Sequence, residues 1–291
     1  MLYYNGYKVA ISNVGFDRLR HIILHHHIFK NAGSTLDFSL ISQFKTNFMH
    51  LEEGENPIHG NKLVEILDCH PGLKAVSSHN FEGQTFEQAL GKHSYRALNF
   101  AMVRRPFQRL LSIYKYFRRS EPVSDLARLA KMVDLRSFAN TLIELYPHMV
   151  DNPQVNIVAN DGFYGHPVSD SDLDGACARL ATFSLCAPVE RYDEAMVALE
   201  YFGSPAFPPS GLNMAYLRQN VSSALPGEDR LREILGEDCY DWIERLSERD
   251  ERLWCFSNAE LDRRLSIVPD FDRRLVSFQE RCKALRSSHY G

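Results

Sequence analysis

The stretch RHIILHHHIFKNAGSTLDF, residues 20–38, joins an apolar run, a short polar turn and the start of a periodic segment. Its first letters, RHIIL at 20–24, have the length and composition of a brief buried strand. Gly33 allows a tight turn, and apolar residues then recur at helical spacing from 34 to about 47. The stretch therefore predicts a strand, a loop and a helix, which is the repeating unit of an open α/β sheet.

The same alternation continues along the chain. Further brief strands are predicted at KAVSS (74–78), ALNFAMV (97–103) and TFSLCA (182–187), and helices at about 62–68, 84–91, 106–118, 123–145 and 189–202. Strands separated by helices predict an α/β fold with an open, mostly parallel sheet flanked by helices on both faces. Charged segments with apolar residues at helical spacing predict a C-terminal helical cap. We expect a single domain over 1–291, with a core at about 20–205 and the cap at about 210–291.

The composition excludes several classes of protein. The chain has 291 residues, of which 44% are hydrophobic and 24% charged, with a net charge of -4. This balance is typical of a soluble globule and gives no general attraction to nucleic acid, so we expect no nucleic-acid partner. The six cysteines show no CxxC spacing, which favours a reducing compartment. No secretory signal opens the sequence and no apolar run reaches the roughly 18 residues of a membrane span, so a cytoplasmic protein is expected.

In open α/β sheets, ligands bind beside the carboxyl ends of the strands, which directs attention to the loop after the first strand. Lys30 supplies a positive charge there, and the amino end of the helix at Ser34 and Thr35 favours an anion. The alternative is that Ser34 and Asp37 form a capping box and the loop merely starts a helix. No GK[ST] follows Gly33, so a Walker A loop is disfavoured. A sulfuryl group carries less charge than a terminal phosphoryl group, so a lysine and a helix end could stabilise its transfer without Mg²⁺.

A second candidate, His79, directly follows the predicted strand at 74–78. A histidine with a pKa near its ordinary value of about 6.5 can take a proton from an attacking hydroxyl at neutral pH. The alternative is an ordinary surface or hydrogen-bonded core histidine. If His79 is not the base, Glu82 and Glu87 are the next candidates.

A third candidate site follows the predicted strand at 97–103. Arg104 stands at the end of that strand, and Ser112 lies two turns into the helix that Pro106 is suited to begin. An arginine and a hydroxyl could together bind a second phosphate through charge-assisted hydrogen bonds. For Arg109, as for Arg118 and Arg119, a solvated basic helix surface is the preferred interpretation.

Together these three segments resemble the sulfotransferase family. IFKNAGSTL at 28–36 is similar to the family's IPKTGGTSL-like loop, and VRRPFQRLLSIY at 103–114 is similar to its R-x-P-x-x-R-x-x-S-x-Y segment. The likeness is greatest to the carbohydrate branch that includes heparan sulfate 2-O-sulfotransferase, and it spans most of residues 22–256. It implies a P-loop-like α/β fold and the donor 3′-phosphoadenosine-5′-phosphosulfate (PAPS), with 3′,5′-adenosine bisphosphate as product and no metal.

The resemblance also implies a role for each matched residue. The 5′-phosphate would be held by Lys30 and the backbone of Asn31, Ala32, Gly33, Ser34 and Thr35, and the 3′-phosphate by Arg104 and Ser112. His79 would be the general base, and Lys30 would neutralise charge on the leaving phosphate. The implied reaction is in-line transfer of a sulfuryl group to a hydroxyl, with a saccharide or glycoconjugate as acceptor. Acceptor identity and oligomeric state stay open at this point, although Lys115, Arg118, Arg119 and Arg128 could accompany an anionic sugar chain.

Several features depart from the family pattern or leave alternatives open. Phe29 replaces the usual proline, and Arg105 stands where aspartate is common, which is consistent with a nearby phosphate or with a solvent-facing side chain. The residues at 25–27 are all histidine but cannot all ligate one metal, because alternate strand residues face opposite sides, so a structural role is expected. The loop around Arg218 could close over the nucleotide. Two other functions remain: a kinase-type phosphotransferase with a degenerate P-loop, and a non-catalytic binding protein.

Overall fold

A parallel sheet forms the centre of the computed structural model, which describes residues 3–4, 7–8, 19–51, 57–82, 89–91, 94–217 and 227–290. Its strands are β3 (Arg20–His26), β4 (Phe48–Leu51), β5 (Ala75–Ser78), β6 (Tyr95–Val103) and β7 (Leu185–Pro188), in the order β4-β5-β3-β6-β7. All four pairings are parallel. The short strands β1 (Tyr3–Tyr4) and β2 (Tyr7–Lys8) form a separate antiparallel pair. The predicted α/β class with an open parallel sheet is confirmed.

Helices connect and cover the strands. They are α1 (Gly33–Phe44), α2 (Gly60–Cys69), α3 (Pro106–Arg119), α4 (Asp125–Met132), α5 (Leu135–Leu145), α6 (Pro153–Asn160), α7 (Asp170–Thr182), α8 (Tyr192–Gly203), α9 (Glu228–Leu235), α10 (Glu237–Leu246), α11 (Glu248–Leu265) and α12 (Phe271–Tyr290). The helix expected at 123–145 is split into α4 and α5, because Asp134 accepts the N–H of Ser137 and caps a new helix. Of the segment expected at 84–91, residues 89–91 are helical and the earlier residues lie outside the described ones.

Several elements were not predicted from the sequence, among them β4, α6 and α7. The edge strand β4 has only four residues, most of them partly exposed, so it shows no apolar run. The helix α6 contains Asn and Val, which favour helices weakly, and its first N–H groups are accepted by the distant Asp250 carboxylate. The helix α7 does carry a local signal, a capping box between Ser169 and Asp172.

Both faces of the sheet are covered, as predicted. One face, with Ile23, Ala75, Phe100 and Leu185, packs against α1, α8, α11 and α12. The other face packs against α2 near β3 and β5, and against α6 and α7 near β6 and β7. The C-terminal helices α9 and α10 pack with α3 and α5 in a further apolar cluster. Among the described residues, no helix is both long enough and apolar enough to cross a membrane.

Candidate functional site

The three candidate loops meet at the carboxyl edge of the sheet. His26 of β3 pairs with Ser78 of β5 and with Ala101 of β6, so the loops that follow these strands lie side by side. They line an open cleft of about 800 Å³. The predicted site residues that line it are Lys30, Ala32, Gly33, Ser34, Thr35, His79, Arg104 and Ser112. The geometry therefore brings together every predicted site residue except Asn31.

The loop after β3 presents the amino end of α1 to this cleft. Lys30 and Ala32 adopt left-handed backbone conformations, with φ of 68° and 64°, and α1 begins immediately afterwards at Gly33. Ala32 occupies the capping position and α1 has no side-chain cap, so the alternative capping box of Ser34 and Asp37 is not formed. The N–H groups of Gly33 and Ser34 lie at the first helical positions, where an α-helix provides no acceptor. Such a helix end suits an anion.

Gly33 is required by its contact with His27. A Cβ atom at residue 33 would lie 1.8 Å from Nε2 and 1.9 Å from Cδ2 of His27. Nearly equal distances to two neighbouring ring atoms mean that the face of the imidazole covers Gly33. The glycine therefore lets a histidine side chain lie directly against the start of α1.

Buried polar side chains form hydrogen bonds to the loop after β3 from inside the fold. The guanidinium of Arg109 is buried and donates from Nε to the carbonyl of Phe29 at 3.2 Å and from Nη1 to that of Met149 at 3.1 Å. The expectation that Arg109 is a solvated surface residue is therefore wrong, because its carbonyl partners lie inside the fold. Arg104 donates from Nη1 to the carbonyl of Lys30 at 2.9 Å. Both arginines fix the backbone on either side of the Lys30 side chain.

Asn31 is also part of this support. Its side chain is 1% exposed and donates to the carbonyl of Met102 at 2.8 Å and to Oε1 of Gln154 at 2.7 Å. Its own N–H donates to the carbonyl of Ile28 at 3.1 Å. With both donors satisfied inside the protein, Asn31 anchors the loop and does not face the cleft.

Lys30 is one of the cations that line the cleft. Its Nζ lies 4.1 Å from the ring centroid of Tyr116, a cation–π distance. Burial and the nearby charges of Arg104, Arg109 and Arg119 lower the pKa of Lys30 to about 8. A bound anion would oppose this shift, because it stabilises the protonated amine. Tyr116 was not predicted, although Gln108, Ser112 and Tyr116 follow helical i, i+4 spacing and all line the cleft.

Arg105, in contrast, is directed away from the cleft. Its Nε donates to Oε1 of Glu251 at 3.1 Å, and its guanidinium lies 5.4 Å from the ring of Trp254. The unfavourable cation at the start of α3 is thus balanced by a carboxylate of α11. Of the other residues named from the sequence, Glu82 pairs with His59, and Glu87 and Arg218 lie outside the described residues.

The consecutive histidines at the end of β3 and directly after it divide between the two faces of the sheet. His26 bonds Asn99 at 3.1 Å and contacts Phe81 and Phe183, and burial lowers its pKa to about 3. His25 and His27 lie on the opposite face, beside Asp37. His79 is exposed in the cleft, with its ring centroid 4.0 Å from that of His27. His27 and His50 also line the cleft, and sequence reasoning gave neither of them a role there.

Two comparisons with known proteins concern this chain. Residues 18–150 match the family model described as "Sulfotransferase family", a segment that contains all the predicted site residues. A protein of Archaeoglobus fulgidus, described as "Uncharacterized protein", is 26% identical over 247 residues, which cover 81% of this chain and 95% of that protein. The family match spans less than half of the chain, and it shows that residues 18–150 are similar to sulfotransferases.

Proposed function

We propose that this protein transfers a sulfuryl group from PAPS to a hydroxyl of a saccharide or glycoconjugate. One observation carries the proposal: Lys30, the amino end of α1, Arg104, Ser112 and His79 line the same cleft. The first four are groups that bind phosphate, and the last can accept a proton. The match of residues 18–150 to the sulfotransferase family supports the reaction class.

In the proposed reaction, the acceptor oxygen attacks the sulfur of PAPS while His79 takes the hydroxyl proton. A bond forms between that oxygen and sulfur as the bond from sulfur to the bridging phosphate oxygen breaks. The leaving group is 3′,5′-adenosine bisphosphate, whose developing charge Lys30 neutralises. Arg104 and Ser112 bind the 3′-phosphate, and the N–H groups of Gly33 and Ser34 bind the 5′-phosphate. No metal takes part in this step.

The acceptor class rests on the resemblance to carbohydrate sulfotransferases and on the openness of the cleft. The cleft is also lined by the carboxylates of Glu190, Asp193 and Glu194, which follow β7. Asp193 accepts hydrogen bonds from the Tyr216 hydroxyl at 2.6 Å and from Gln279 at 3.1 Å. Polar side chains held in this way suit a ligand with many hydroxyl groups.

The test compares His79→Ala with His166→Ala, a change at an exposed histidine whose ring contacts the Pro167 carbonyl and does not line the cleft. Transfer from labelled PAPS is measured over a panel of hydroxyl acceptors, and binding of 3′,5′-adenosine bisphosphate by calorimetry. Loss of the base should lower the rate by about 100-fold to 10,000-fold with product binding nearly unchanged. The His166 variant should match the wild type.

Two results would contradict parts of this proposal. Near-normal transfer in the His79 variant would eliminate its role as base. Failure of the wild type to bind 3′,5′-adenosine bisphosphate would eliminate the donor site. Thermal protection by ATP with Mg²⁺ in place of the bisphosphate would instead favour phosphoryl transfer.

A further inference from the structure

The register of the sheet gathers four histidines on one face. His25 of β3 and His50 of β4 both pair with Ser77 of β5. His27 and His79 each follow the pair of His26 and Ser78 by one residue. Because side chains two residues apart face the same side of a strand, all four project from the face that α1 covers.

Three of these histidines are close enough to share one ion. One ring nitrogen each from His27, His50 and His79 lies within 4.8 Å of the others. His50 and His79 are exposed and His27 is partly buried, and all three line the cleft. The group therefore combines several nitrogen donors with access from solvent, the arrangement of an open metal site.

The buried carboxylate of Asp37 lies beside three of these histidines. Oδ2 of Asp37 lies 3.4 Å from Nδ1 of His27 and 3.9 Å from Nδ1 of His50. Its other oxygen, Oδ1, is 2.9 Å from Nδ1 of His25, which also contacts the Ser77 hydroxyl at 2.9 Å. Histidines that ligate metals commonly face a carboxylate with their second ring nitrogen, which fixes ring orientation and raises basicity.

We propose that His27, His50 and His79 form a site for a divalent transition metal of the Zn²⁺ type, with Asp37 next to two of the rings. The fourth position would face the cleft and hold water. Neutral imidazole nitrogens are preferred ligands of Zn²⁺. A second possible group, His25, His27 and Asp37, is more deeply buried and its members already contact one another, so it serves as support for the ligands.

Metal binding requires a local rearrangement. The rings of His27 and His79 lie 4.0 Å apart with 31° between their planes, which is closer to stacking than to tetrahedral coordination. With Zn–N bonds of about 2.0–2.1 Å, ligand nitrogens in a tetrahedral site lie roughly 3.4 Å apart. The site therefore requires the exposed side chains of His50 and His79 to rotate until their nitrogens lie that close.

This site has a consequence that rests on the proposed function. A nitrogen of His79 that ligates a metal ion cannot accept a proton from the acceptor hydroxyl. Zn²⁺ should therefore inhibit sulfuryl transfer, and a chelator should restore it. Metal binding itself does not depend on the transfer activity, so the two ideas can fail separately.

The direct test is a titration of the full chain with Co²⁺, monitored by its visible absorption, and with Zn²⁺ by calorimetry. One Co²⁺ per chain with the intense absorption of tetrahedral coordination is expected. His50→Ala removes a ligand from an exposed edge strand, and it should weaken binding by more than about tenfold, since even loss of a supporting group costs about 10–100-fold. His166→Ala is the matched control and should bind as the wild type does, and circular dichroism checks that both variants are folded.

The outcomes separate the site from other metal-binding groups. Octahedral Co²⁺ absorption, or binding that is unchanged in His50→Ala, would overturn the proposal. Absorption from thiolate to Co²⁺ would assign the ion to an exposed cysteine such as Cys69 or Cys255, and would also overturn it. Tetrahedral binding that is lost in His50→Ala would support the site even in a protein that transfers no sulfuryl group.

Discussion

The affinity for 3′,5′-adenosine bisphosphate should fall as pH rises through the pKa of Lys30. Burial, followed by the charges of Arg104, Arg109 and Arg119, lowers this pKa from 10.5 to about 8. A bound 5′-phosphate favours the protonated amine and raises the pKa again. Above about pH 8 the free protein has therefore lost a proton that the complex retains, and binding must take one up.

The size of the effect follows from the two pKa values. If the bound phosphate restores the ordinary value of 10.5, affinity falls by about 30-fold, or about 2 kcal/mol, between roughly pH 7 and pH 9.5. The phosphates are already fully ionised in this range, since their second pKa is about 6. The unliganded protein shows the opposite sign, because the unfolded chain binds the Lys30 proton more tightly. Its stability therefore rises with pH over the same interval, and unfolding cannot mimic the loss of binding.

The assay is calorimetric titration with the bisphosphate at a series of pH values, for the wild type and for Lys30→Arg. An arginine stays charged throughout, so the variant should show a flat profile whatever its absolute affinity. A flat profile in the wild type would refute the assignment of Lys30 to the phosphate. An equal slope in both proteins would assign the proton to a different group.

Other predictions concern the support of the loop. Gly33→Ala forces the ring of His27 to move and should lower the free energy of unfolding by about 1–3 kcal/mol, measured in denaturant; unchanged stability would contradict the contact. Asp250→Ala leaves buried N–H groups at the start of α6 without their acceptor, and it should lower the free energy of unfolding by ~3 kcal/mol in the same measurement. A loss below roughly 1 kcal/mol would show that water replaces the carboxylate. Arg109→Met keeps the volume but releases the Phe29 carbonyl, and should weaken bisphosphate binding about tenfold by calorimetry; wild-type affinity in the folded variant would remove Arg109 from the support of the site.

The fold was predictable from the sequence where an element has a clear pattern of apolar residues. The strands β3 and β6 are buried runs and appear directly in the sequence, and so does the amphipathic helix α3. In contrast, β4 is too short and exposed to show a pattern, and α6 depends on an acceptor supplied by a distant helix. Local propensity carries no information about such long-range partners.

The positions of the candidate site residues were predictable for a related reason. The carboxyl ends of neighbouring parallel strands meet, so residues just after those strands share one edge, which brings Lys30, His79 and Arg104 together. What the sequence did not show is which polar side chains turn inward. Arginine and asparagine are residue types that usually lie at the surface. Arg109 and Asn31 are internal hydrogen-bond donors only because of where backbone carbonyls lie in the folded chain. Their roles were therefore invisible to motif and spacing.

Phe29 illustrates how a departure from the family pattern can be compensated elsewhere in the fold. A proline at this position would restrict the backbone before Lys30 by its own ring. Here the centroid of the phenylalanine ring lies 5.4 Å from that of Tyr116 and 6.4 Å from that of Phe117, both on α3. The carbonyl of Phe29 also accepts a hydrogen bond from Arg109, which belongs to the same helix. Because α3 also carries Ser112, the same contacts that fix the loop also fix its distance from the segment that we propose to bind the 3′-phosphate. Packing between two segments thus restrains the loop where a proline ring would restrain the chain itself, and Lys30 adopts its left-handed conformation without the proline.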